Sequence, residues 1–112
     1  MAIEFDGREI ETTASGYLVE QEDWSEGLAE IMAAADSITL TQPHWDLINY
    51  LREEFFDNGG SLPNTRTIIK AMSEKWGKEV SQRDLYELFP LDPSKQGGRI
   101  AGLPESRRKG GY

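Results

Sequence analysis

Residues 42–56 read QPHWDLINYLREEFF, and they set the character of the whole chain. Trp45, Ile48, Leu51 and Phe55 recur at helical spacing and form one apolar stripe. Pro43 falls in the first turn, where its missing N–H costs nothing, and Thr41 is placed to cap that turn. Asn58-Gly59-Gly60-Ser61 supplies the left-handed conformations that end a helix. The pattern therefore predicts a helix over 42–57 at the centre of the core.

Working outward toward residue 1, IEFDGREIET alternates around Asp6-Gly7, a dipeptide that tolerates positive φ at both positions of a tight turn. Ile3–Phe5 should pair with Glu9–Glu11. Tyr17-Leu18-Val19, after a turn at Ser15-Gly16, should add an extended segment or short strand, so that the β element covers about 3–19. Asp23 is positioned to cap a helix over 24–35 that turns Leu28, Ile31 and Met32 inward. In the other direction, Asn64 to Trp76 carries Ile68, Ile69, Met72 and Trp76 on one side and stops at Gly77. Ser81-Gln82-Arg83-Asp84 has the form of a capping box, which predicts a helix over 82–89 with Leu85, Leu88 and Phe89 inward. A last helix over 94–101 works against Gly97 and Gly98, which together cost it roughly 2 kcal/mol relative to alanines. The expected class is α+β and mostly helical: a small N-terminal β-hairpin on an orthogonal helical domain, residues 1–102, followed by a mobile C-terminal arm, residues 103–112.

Charge is distributed unevenly. Residues 1–60 hold fourteen acids against Arg8 and Arg52, residues 61–94 are balanced at five of each sign, and residues 95–112 set five bases against Glu105. An acidic body argues against indiscriminate coating of nucleic acid, while the basic end offers contacts to an acidic partner or to phosphates. No apolar run is long enough to span a membrane and no secretory leader is evident, so a cytoplasmic location is expected.

Few side chains offer chemistry. His44 is the single histidine, without an acidic companion at i+3 or i+4, so a metal site is not expected and a structural role is. Serines and threonines sit at caps and turns without a base to activate them. Glu53, Glu54 and Asp57 read as a solvated acidic face, and no phosphate-cradling glycine motif occurs, so no cofactor is expected. Cysteine is absent. The two helices joined across NGGSLP have a helix-turn-helix aspect, which makes Arg66, Lys70 and Lys75 candidate DNA contacts.

Four stretches in order, TASGYLVEQEDW (13–24), QPHWDLINYLREEFF (42–56), DLYELFP (84–90) and KQGGRIAGLP (95–104), resemble the DsrC/TusE family of sulfur-carrier proteins. The resemblance covers nearly the whole chain. It implies packed helices beside a small β element and a C-terminal arm whose penultimate cysteine takes up sulfur as a persulfide. It also implies partners of the TusBCD, MnmA or DsrAB type. In DsrC proper a second cysteine lies in a Q-A-C-R-like stretch. Here the corresponding positions are Gly98 and Gly111, and neither can hold sulfane sulfur. Lys95, Gln96 and Arg99 around the first position, and Arg107, Arg108, Lys109 and Tyr112 in the arm, are the expected partner contacts. Three readings follow: a cysteine-free family member that docks or regulates without enzymatic activity, a carrier whose cysteines have been substituted, and a DNA-binding regulator.

Overall fold

A computed structural model describes residues 2–57, 60 and 62–104. It begins with an antiparallel hairpin of β1 (Ala2–Phe5) and β2 (Arg8–Glu11), in which Ile3 faces Ile10 and Phe5 faces Arg8. Asp6 and Gly7 both take positive φ, 52° and 75°, as a two-residue turn between twisted strands requires. One side of the hairpin is apolar: Ile10 is buried, and Ile3 and Phe5 lie against the core. Tyr17–Val19 contributes only a single bridge, Leu18 to Thr12, so the β element is smaller than its expected extent.

Helix α1 spans Glu26–Ala35, and its cap is Ser25, whose hydroxyl accepts the Leu28 amide at 3.2 Å. Asp23, the expected cap, is consumed in a 3₁₀ turn at Gln21–Asp23. Ser25 alone has the extended backbone and short oxygen-bearing side chain that a cap needs. The buried face is Leu28, Ala29, Met32 and Ala33, while Ile31 is 39% exposed. Periodicity placed Leu28 and Met32 correctly; the neighbours they share a face with are alanines, which a hydrophobicity stripe undervalues.

Helix α2, Gln42–Asp57, buries His44, Leu47, Ile48 and Leu51. Trp45 and Phe55 are only partly buried, so the inward face is rotated relative to the expected stripe. The Thr41 carbonyl accepts the Trp45 amide at 3.0 Å, which starts the helix. Helix α3, Thr65–Trp76, is capped by Asn64, whose side chain accepts the Thr67 amide at 2.9 Å. Helix α4, Gln82–Leu88, opens with the full capping box between Ser81 and Asp84. Leu85 and Phe89 from this region are completely buried, whereas Leu88 is only partly so.

The last helix, α5 (Lys95–Ile100), packs on α1 and α2. Asp92 starts it by accepting the Ser94 and Lys95 amides, both at 2.9 Å. Burial overcomes the poor propensity of its glycines: Ile100, Ala101 and Leu103 are all fully buried. Leu103, where the arm was expected to begin, thus belongs to the core of the body. Among the described residues the molecule is an α+β fold in which a β-hairpin packs against five α-helices. Among the described residues no helix is long and apolar enough to cross a membrane.

Candidate functional site

Helix α5 sits where the sequence-based contacts were expected, and its side chains divide sharply by direction. Lys95 is exposed. Gln96 turns inward and is 4% exposed: its side-chain N–H donates to Asp36 Oδ2 at 3.0 Å and its Oε1 accepts the Leu91 amide at 2.9 Å. Its role is internal. Arg99 pairs with the same Asp36 oxygen, with the two side chains 17% and 21% exposed. Asp36, the residue that closes α1, therefore ties α5 to α1 through two donors. An open groove of about 390 Å³ runs beside this tie, lined by Ser15, Tyr17, Leu91, Lys95 and Arg99. Leu91 projects on its rim at 73% exposure while its backbone is held by Gln96.

Gly98, the expected cysteine position, is buried within α5. A side-chain carbon there would lie 3.5 and 3.7 Å from the methyls of Leu62, ordinary contact distances. One added carbon therefore fits against Leu62 without displacing it. Gly97 is tighter, with Leu51 at 3.0 Å and Phe89 at 3.4 Å. Arg107, Arg108, Lys109, Gly111 and Tyr112 lie outside the described residues.

Below Gly98 the chain is held by groups that sequence reasoning did not single out. The Trp24 indole N–H donates to the Ile100 carbonyl at 2.8 Å, and Arg52 Nη1 donates to the Ala101 carbonyl at 2.7 Å. The Arg52 guanidinium lies 3.9 Å from the centre of the Trp24 ring and 5.1 Å from that of Phe56. Burial lowers its pKa from the ordinary arginine value, yet a guanidinium remains charged at neutral pH. Gly102 has φ of 79°, and a side-chain carbon on it would come within 2.3 Å of Trp24. Trp24 and Arg52 both fall in the stretches that carry the family resemblance, which was the available signal, but no spacing rule brings them together.

The other candidate residues are arranged less favourably. Arg66, Lys70 and Lys75 are all exposed on α3. Arg66 and Lys70 share a side, but Lys75, nine residues beyond Arg66, lies about half a turn away. Lys75 instead lines a small cavity of about 210 Å³ with Asp46, Tyr50 and Glu53. Burial alone would raise the Asp46 carboxyl; hydrogen bonds from Trp76 and Gln42 and the charge of Lys75 outweigh it and hold the group below its ordinary value. The three cations do not form one basic face.

His44 is engaged at both ring nitrogens. Nε2 donates to the Leu88 carbonyl at 3.0 Å, and Nδ1 accepts from the Thr41 N–H at 3.0 Å and its hydroxyl at 2.7 Å. Burial pushes its pKa down, against a smaller upward effect of the bond to Leu88. The ring is thus a neutral strut between α2 and the end of α4. Among the described residues no three histidine or carboxylate side chains converge on a point where a metal could sit.

Comparison with known proteins agrees with this architecture over nearly its full length. The family model described as "DsrC like protein" matches residues 4–108, which leaves Gly111 beyond the match. The sulfurtransferase TusE of Yersinia pestis is 46% identical over 104 residues, 92% of this chain and 94% of that protein. TusE of Escherichia coli K12 is 43% identical over 102 residues, 90% and 93% of the two chains. Among solved structures, Allochromatium vinosum DsrC superposes with a TM-score of 0.84 at 42% identity, covering 96% of each chain. The oxidized gamma-subunit of dissimilatory sulfite reductase from Archaeoglobus fulgidus gives 0.88 at 32% identity, covering 96% of this chain and 98% of that one. With its hairpin, its five helices and the match along residues 4–108, the chain belongs to the DsrC/TusE family of sulfur-carrier proteins, as a member without cysteine.

Proposed function

We propose that this chain docks on sulfur-relay proteins and occupies their carrier-binding surface without passing sulfur. One observation carries the proposal: the family's body is retained up to the buried Leu103, while no cysteine occurs anywhere in the sequence. A persulfide requires a thiol sulfur to bear the sulfane atom, and hydroxyls and amines do not replace it. The chain has no catalytic residue in this role.

The partners are proteins that bind carriers of this family, of the TusBCD, MnmA or DsrAB type, in the cytoplasm. Lys95 and Arg99 beside the open groove, with Leu91 on its rim, form the fixed part of the contact surface. Arg107, Arg108, Lys109 and Tyr112 supply the remainder, with charge and one aromatic anchor to offset the ordering cost of roughly 1 kcal/mol or more per residue.

Competition tests this directly. Sulfur transfer from a TusBCD-type donor to a cysteine-bearing TusE should slow as this chain is added, and the inhibition should be relieved by excess TusE. Failure to bind any TusBCD, MnmA or DsrAB protein would remove the proposal.

A further inference from the structure

We infer that Trp24 and Arg52 are positioning residues that seize the last carbonyls of α5 and thereby fix the backbone of residues 100–104, the described end of the body. The carbonyls at the end of a helix have no partner within it and are ordinarily left to water. Here two separate elements reach them. Trp24, from the segment before α1, takes the Ile100 carbonyl, and Arg52, from the middle of α2, takes that of Ala101.

The surrounding geometry leaves this junction little freedom. Trp24 and Phe56 flank the Arg52 guanidinium, so the donor is itself held in place. The Gly102 amide donates to Arg99 at 3.1 Å and the Leu103 amide to Gly98 at 2.9 Å, which close the turn on its other side. Gly102 fits under Trp24 only because it has no side chain. Pro104 then restricts Leu103 to extended backbone, and the Leu103 side chain is fully buried. Trp24 and Arg52 commit their polar groups to the carbonyls of Ile100 and Ala101.

The purpose of such a clamp rests on the docking role proposed above, whereas the clamp itself does not. A segment whose origin is fixed loses less freedom on binding than one attached through a loose turn.

Amide hydrogen exchange on the full chain, compared with Trp24→Phe and Arg52→Met, tests the clamp. Phenylalanine keeps an aromatic ring and removes the donor; methionine keeps the stem and removes the guanidinium. The Gly102 and Leu103 amides should exchange about tenfold faster or more in both variants, while those of Ile48 and Leu51 in α2 change by less than about twofold. Parallel acceleration of all four amides would make the two residues general determinants of folding and overturn the inference; unchanged exchange at Gly102 and Leu103 would also overturn it. The same variants are titrated with a purified TusBCD-type complex, where binding should weaken and Arg52→Lys should recover part of it. Faster exchange without weaker binding overturns the positioning role. A wild-type chain that binds no such complex while its clamp behaves as expected defeats the docking proposal instead.

Discussion

Gly98 and Gly102 lie four residues apart and look alike in the sequence, yet they occupy opposite kinds of place. At Gly98 a side chain would meet Leu62 at ordinary distance, whereas at Gly102 it would collide with Trp24 within 2.3 Å on a backbone of φ 79°. The first glycine occupies a position that can accept a side chain; the second occupies one that cannot. At the buried Gly98 one more carbon fits against Leu62, while the turn at Gly102 is filled by Trp24 and hydrogen-bonded.

That contrast is broken most severely at Gly102. Gly102→Ala should cost about 3 kcal/mol or more, from left-handed backbone strain and the overlap with Trp24, as measured by chemical denaturation. A cost below about 1 kcal/mol would mean that Trp24 yields easily and the junction is not tightly fitted. Gly98→Ala should act in the other direction, stabilising by about 0.5–1 kcal/mol, because alanine reduces the freedom of the unfolded chain and fits beside Leu62. A marked loss of stability there would show that the apparent room is needed for close packing.

The smallest effect separates the body from the junction by pH. His44 has its pKa lowered in the folded protein relative to an unfolded value of about 6.5. Below that value the unfolded chain binds more protons than the folded one, so stability falls as pH is lowered from 7 toward 5 and is fully present above it. Protonation also turns Nδ1 from an acceptor of the Thr41 N–H into a donor facing it. His44→Gln should flatten this part of the pH profile. Exchange at Gly102 and Leu103 should follow the pH dependence of intrinsic exchange through the same range, since Trp24 and Arg52 do not change charge there. Extra acceleration at those two amides would couple the strut to the clamp.

Much of the architecture was legible because it is local. Asp6-Gly7 and the Ser81/Asp84 box act within a few residues of themselves, and each occupies its expected place. Errors arose where a local rule had two candidates or where burial depended on a neighbour. Ser25 rather than Asp23 has the capping backbone, and Ile31 yields the inward face to Ala29 and Ala33. Helix α5 was legible, but Gln96 was assigned outward, and Leu62 beside Gly98, Trp24, Asp36 and Arg52 were not assigned at all.

By itself, the sequence determined the order of the elements, the Asp6-Gly7 turn and the Ser81/Asp84 cap, the family, and the absence of any cysteine thiol, since folding cannot restore a missing functional group. Tertiary structure alone decided what holds the exit of α5. Trp24 meets Ile100 across 76 positions, Arg99 meets Asp36 across 63 and Arg52 meets Ala101 across 49. Helical periodicity and capping reach only three or four residues along the chain, so contacts at such separations come into being only when α1, α2 and α5 pack together.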